Sequence, residues 1–227
     1  MTVYLLPQEP FFPPVAEAEP DGLIAIGGDL SAKRLVQAYA QGIFPWFVEE
    51  DDFYWYSPDP RLVLLPKAFK ASGTLQRLVK KKIFEIRVDT NFEGVIRSCA
   101  ETCRPGQDGT WISEEFIKAY LEMHDRGFAH SVEAYHDGKL AGGLYGVSLG
   151  GAFFGESMFH KENNASKVAF FNLVELAKQL EFNFIDCQVE TSHLVGLGAT
   201  LIPRTSYLDL LAEALKRPTV KGKWMVK

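Results

Sequence analysis

Between residues 129 and 188 the chain carries a pattern that a mainly antiparallel sheet crossed by one helix satisfies. Ala129–Tyr135 and Leu140–Ser148 read as strands joined by Asp137-Gly138, a dipeptide that tolerates the positive φ of a tight hairpin turn. A third strand, Ala152–Phe159, follows Gly150-Gly151. The apolar run Ser166–Leu180 is too long for a strand and reads as a helix, after which Asn183–Gln188 returns to strand. Three polar groups interrupt this apolar unit. Glu156 sits between aromatic strand residues, and Asp186 and Gln188 alternate with apolar neighbours, so they share one face. Polar groups placed this way are costly unless paired or used, which makes these three the first candidates for chemistry.

The rest of the chain fits around that unit. Residues 7–20 hold five prolines and cannot form regular helix or central strand. Phe11-Phe12 and Val15 are the side chains available to pin this segment to a core. Gly22–Gly28 is a short apolar run, and Ser31 caps a helix to about Gln41 that Gly42 stops. The aromatics and prolines of residues 43–60 predict a packed, irregular small domain, with core packing favoured over base stacking. From Leu62 the pattern becomes regular. Leu62–Leu65 and Ile83–Val88 read as strands flanking a basic helix, Thr74–Lys82. Thr90 with Glu93 forms a capping-box pattern for a helix to about Cys103, and Ser113 caps another that ends before Gly127. A short helical piece near His193–Gly196, a strand Thr200–Arg204 and a helix begun by Ser206 and Asp209 complete the chain. The fold class is α+β: a small irregular N-terminal domain over residues 1–61, then a domain over 62–227 with a mixed, mainly antiparallel sheet and flanking helices.

Charge is unevenly spread. The net charge is −5 over 227 residues, but residues 1–60 carry ten acidic and two basic side chains, whereas residues 61–87 carry eight basic against Glu85 alone. One face is thus suited to a polyanion and another to a cation. No run reaches the roughly 18–20 apolar residues of a membrane span. The N-terminus lacks the basic region of a signal peptide, and three cysteines suit a reducing compartment. A cytoplasmic protein without membrane contact is expected. The spacing of Cys99, Cys103 and the five histidines does not resemble a metal site, and none is expected.

The order helix–helix, three-stranded meander, helix, strand resembles the GNAT acyltransferase fold. The turn His160–Ser166 lacks the glycines with which that fold receives the pyrophosphate of coenzyme A, which argues against an acyl-CoA donor. A non-catalytic RNA- or peptide-binding module on the same scaffold is the alternative from another class.

Nearly the whole chain resembles one family, the leucyl/phenylalanyl-tRNA–protein transferases. The resemblance rests on Gly22–Leu30, Ala40–Trp46, Trp55–Arg61, Thr110–Ile112, Gly142–Gly146, Gly155–Phe159, Ala165–Lys167 and Ile185–Gln188, all in order. Tyr56, where Trp is common, and Gly196, where Ser is expected, depart from it. The resemblance implies transfer of Leu or Phe, less often Met, from aminoacyl-tRNA to the N-terminal α-amine of proteins that begin with Arg or Lys, marking them for degradation. It implies a GNAT-like catalytic domain and no cofactor, because an aminoacyl ester is already activated. Asp186 and Gln188 become the catalytic pair, with Asp186 polarising Gln188 in a positioning and electrostatic role. Phe153, Met158, Phe170, Phe171, Leu173 and Ile185 become walls of the donor pocket, with Ser157 beside them, Glu156 on the α-amino group or adenosine, and Trp111 on the terminal adenine. Lys67, Lys70, Arg77, Lys80, Lys81 and Lys82 in the basic segment are the candidates for tRNA phosphates, and Glu49–Asp52 for the cationic acceptor.

Overall fold

The computed structural model describes residues 3–50, 52–102 and 112–224. Two sheets organise them. The smaller has four strands in the order β1-β2-β4-β3: β1 (Tyr4–Leu6), β2 (Leu23–Gly27), β3 (Phe44–Glu49) and β4 (Asp52–Tyr56). The stretch expected to be irregular is therefore largely strand. Its proline is tolerated because β3 lies at the sheet edge and the register slips between Pro45 and Phe47, where a missing N–H breaks no continuous ladder. Phe12 does anchor the proline-rich segment, packing edge-on against the fully buried Trp55 at 4.8 Å, while Phe11 is left exposed. Ser31 caps α1 (Ala32–Ala40) through the Arg34 N–H, as its position before the helix predicts.

The larger sheet runs β11-β5-β10-β9-β8-β7-β6. Its strands are β5 (Arg61–Leu64), β6 (Glu85–Val88), β7 (Ala129–His136), β8 (Lys139–Leu149), β9 (Ala152–His160), β10 (Phe184–Gln188) and β11 (Thr200–Ile202). β7, β8 and β9 form the expected antiparallel meander, and β10 joins β9 in parallel after the crossing helix α5 (Ala165–Gln179). α5 and α2 (Gly73–Lys80) cover one face with a core that includes Phe153, Phe170, Leu173 and Ile185. The other face is covered by α1, α3 (Phe92–Ala100), α4 (Glu114–Asp125) and α7 (Arg204–Leu215), whose core is continuous with the smaller sheet. α6 (Ser192–Gly196) follows β10.

Two helix starts differ from expectation. Asn91 rather than Thr90 caps α3, its side chain accepting from the Gly94 N–H, because Thr90 Oγ1 is engaged with Glu133. α7 begins at Arg204 behind Pro203, two residues before Ser206, since Pro203 supplies the fixed φ that precedes a helix. Cys103, the expected end of α3, lies outside the described residues.

Candidate functional site

A cavity of about 500 Å³ opens where β9, β10, α5, α6 and the start of β3 meet. That volume lies within the roughly 300–1,000 Å³ of small-molecule sites. Its apolar wall is made by Phe153, Met158, Phe170, Leu173 and Ile185, all expected there, together with Leu144 from β8 and Phe44, Pro45 and Trp46 from the smaller sheet. Ser157 lines it too. Phe171 does not: its ring packs edge-on against Phe69 at 5.7 Å, on the neighbouring face of α5, because successive helical positions point about 100° apart. Trp111 lies outside the described residues.

The polar side of the cavity is built from β9 and β10. Asp186 is fully buried. Its two oxygens take a bidentate ion pair from Arg61, Nε to Oδ1 at 2.9 Å and Nη2 to Oδ2 at 2.7 Å, and the Tyr207 hydroxyl donates to Oδ2 at 2.7 Å. A paired charge survives burial here because every lone pair has a partner. Arg61 is buried as well, between the rings of Phe44 and Tyr207, and donates to the Gly42 carbonyl at 3.2 Å. Burial alone would weaken its charge, but Asp186 overrides it and holds the guanidinium ionised.

β10 ends with a register shift between Asp186 and Gln188, and Gln188 has φ +61°, a left-handed backbone that non-glycine residues adopt chiefly where surrounding structure enforces it. The enforcing bond is visible: Asp186 Oδ1 accepts the Gln188 backbone N–H at 2.8 Å, closing an Asx-type turn. Asp186 therefore holds the main chain of Gln188 and does not meet its side chain, which corrects the expected polarising contact. The Gln188 amide nitrogen donates instead to Glu156 Oε1 at 2.9 Å. Glu156 Oε2 accepts from Tyr120 at 2.9 Å, and the Tyr120 hydroxyl meets that of Tyr39 at 2.5 Å. Burial pushes the Glu156 carboxyl up to about 7; the neighbouring Asp186 charge adds to the rise, and the Tyr39, Tyr120 and Gln188 hydrogen bonds oppose it. His193 also lines the cavity, its pKa lowered first by burial and then by Lys167 and His160.

The site thus has a carboxyl that titrates near neutrality, an amide fixed beside it, and an apolar chamber in front of both. Arg61, Tyr207, Tyr120 and Tyr39 were not singled out as site residues. Arg61 stood in the sequence as one more cation of the basic segment, and no local pattern marks the three tyrosines. The six tRNA candidates, Lys67 to Lys82, are all exposed. Their segment borders the cavity: the Lys70 N–H bonds the Leu197 carbonyl just beyond α6, and Phe69 packs on Phe170 at 6.0 Å.

Comparison with known proteins gives the class of the chain that carries this cavity. Residues 63–212 match the model of the leucyl/phenylalanyl-tRNA protein transferases, and residues 28–59 match that of their N-terminal domain. A leucyl/phenylalanyl-tRNA–protein transferase of Anaeromyxobacter sp. (strain K) is 54% identical over 226 residues, covering 100% of this chain and 97% of the relative. One of Myxococcus xanthus is 52% identical over 226 residues, covering 99% and 97%. A solved GCN5-related N-acetyltransferase-like protein from Streptococcus suis is 15% identical with a TM-score of 0.37, over 75% of this chain and 64% of that one. The chain belongs to the leucyl/phenylalanyl-tRNA–protein transferases and is an aminoacyltransferase. Among the described residues no helix is long and apolar enough to cross a membrane.

Proposed function

We propose that the cavity seats the leucyl or phenylalanyl side chain of an aminoacyl-tRNA, with Met tolerated. The acceptor is the N-terminal α-amine of a protein beginning with Arg or Lys, and the product is marked for degradation in the cytoplasm. The amine nitrogen attacks the ester carbonyl carbon, the ester C–O bond breaks, and the proton that the amine gives up passes by way of Glu156 to the departing ribose oxygen, which leaves as a hydroxyl. The observation that carries this reading is the Gln188–Glu156 bond at the cavity wall. A carboxyl near 7 is matched to receive a proton from an amine whose own pKa is roughly 7.7–8.0. In this reading the Gln188 amide oxygen accepts an N–H of the incoming amine and orients its lone pair. Asp186 acts through position, holding Gln188 in place and adding negative potential. Ser157 and Met158 flank the ester.

The exposed Lys67, Lys70, Arg77, Lys80, Lys81 and Lys82 hold acceptor-stem phosphates, and residues 1–61 form an N-terminal part that offers its acidic side to the cationic acceptor. Methyl-scale differences in an apolar chamber discriminate by only about 1–3 kcal/mol, which supports tolerance of Met.

A transfer assay tests the whole reading. Purified protein is mixed with radiolabelled Leu-tRNA and peptides that differ only in an N-terminal Arg, Lys or Ala. Label on the Arg and Lys peptides alone is expected; equal label on the Ala peptide would overturn the acceptor assignment.

A further inference from the structure

The C-terminal tail beyond α7 carries a buried side chain that the reaction does not use. Trp224 is 5% exposed although it lies nine residues past Leu215, the last residue of α7. Its backbone N–H donates to Asp89 Oδ2 at 2.8 Å, and its indole N–H to the Val220 carbonyl at 3.1 Å, which curls the tail into a short closed loop. The indole stacks on His130 with centroids 3.7 Å apart and an interplanar angle of 12°. Asp89 fixes that histidine at its ring edge, Oδ2 accepting at 2.8 Å from Nδ1 while Oδ1 takes the Ser131 N–H. Two hydrogen bonds and one stacked ring hold Trp224 itself, on a histidine that is fixed in turn; they are more than a loose terminus makes.

The same indole reaches Phe153, with ring centroids 6.0 Å apart, and Phe182 at 5.6 Å. Phe153 lines the cavity and Trp224 does not. Phe153 therefore stands between the chamber and the tail. It has little other freedom: a Cβ at Gly146 would lie 2.6 Å from its ring, so that side is already filled by the β8 backbone. Within the core that encloses Phe153, Trp224 is a ring that stands against it from outside the chamber.

We propose that Trp224 is a specificity-determining residue of the transfer reaction: by backing Phe153 it fixes the depth of the donor chamber and hence the preference between leucyl and phenylalanyl donors. This rests on the reading that the chamber holds the donor side chain. Trimming the indole lets Phe153 recede and enlarges the chamber, which favours the longer aromatic donor over leucine. Because a change of one or two carbon atoms in such a chamber alters discrimination roughly 10–200-fold, an effect on the order of 10-fold is expected from a second-layer ring that relaxes in part.

The test measures kcat/KM for Phe-tRNA and Leu-tRNA with one Arg-initiated peptide in the full-length chain. Three variants are compared with the parent: Trp224→Ala, Trp224→Phe, which keeps an aromatic ring on His130, and Phe153→Leu. Thermal melts identify the variants that fold. The proposal expects the Phe:Leu ratio to rise about 10-fold in Trp224→Ala and by less in Trp224→Phe. A loss of rate equal for both donors, with the ratio fixed in every folded Trp224 variant, would overturn it. Should Trp224→Ala fail to fold, Trp224→Phe decides alone. Phe153→Leu separates the two levels of failure: a shifted ratio there with none at Trp224 removes only the tail's role, whereas no shift at either position removes the chamber reading beneath it.

Discussion

Replacing Asp186 by Asn tests whether this residue acts by position. The substitution keeps size and one acceptor oxygen but removes the charge that faces a buried guanidinium. Breaking a buried ion pair by deleting one partner costs about 3–5 kcal/mol, because the remaining charge stays desolvated. For a chain of this size about 1 kcal/mol moves the melting temperature by roughly 2–4 °C, so Asp186→Asn should melt roughly 6–20 °C below the parent. Transfer should fall as well. The Gln188 backbone loses its charged anchor, and misplacement on the order of 1 Å costs about 100-fold in rate. Calorimetry measures the first effect, and single-turnover transfer of Leu from tRNA, run far below the melting point, measures the second. The double variant Arg61→Met with Asp186→Leu removes both charges. It should regain most of the stability, since no uncompensated charge is left, and should still fail in transfer. A single variant that melts within about 2 °C of the parent would refute the dependence of Arg61 on Asp186. A double variant that transfers normally would refute the anchoring role.

Glu156 gives a pH signature. Its carboxyl rises from 4.5 to about 7 on folding, so the stabilising form is the protonated one: that contribution is complete below about 4.5 and is lost as pH rises through 7. The loss is about 3 kcal/mol, and Glu156→Gln should flatten this part of a melting-temperature profile taken from pH 5 to 8. The same substitution should remove the limb of the transfer rate that titrates near 7, leaving the amine's own; an unchanged profile would exclude Glu156 as proton acceptor. Reversing Lys80, Lys81 and Lys82 to Glu should raise KM for Leu-tRNA, make its salt dependence shallower, and leave kcat near the parent value; a KM that stays put excludes this surface. Gly146→Ala forces a Cβ into the Phe154 carbonyl and within 2.6 Å of the Phe153 ring, and should destabilise by about 1–3 kcal/mol in denaturant titration.

The parts of the site visible in the sequence were those whose evidence is local. Glu156, Asp186 and Gln188 interrupt apolar strands, which strand periodicity picks out; that apolar neighbours wall a donor chamber is what the family resemblance implies. Their partners were hidden because each lies far along the chain: Arg61 is 125 residues from Asp186, and Tyr120 is 36 from Glu156. Arg61 also has the composition of its neighbours, so nothing in the run Arg61–Arg87 separates the one buried cation from the exposed ones. Gln188 read as a regular strand residue because a bulge shows in pairing register, not in residue type. At Asn91 the error was one residue: two capping side chains stand side by side, and a tertiary bond donated by Thr90 to Glu133 decides between them. Proline density misled in β3, where edge position neutralises its effect.

The Arg61–Asp186 pair also carries information about the order in which a nascent chain can mature. Arg61 is synthesised 125 residues before its partner. At about 5–20 residues per second that is a wait of roughly 6–25 s, during which the guanidinium has no carboxylate and stays in water. Burying it early, under Phe44 and against the Gly42 carbonyl, would strand an unpaired charge. The junction that brings β3 to the chamber therefore locks only after β10 has left the ribosome. A polypeptide truncated before Asp186 should therefore keep this junction open, which limited proteolysis of such a fragment would detect.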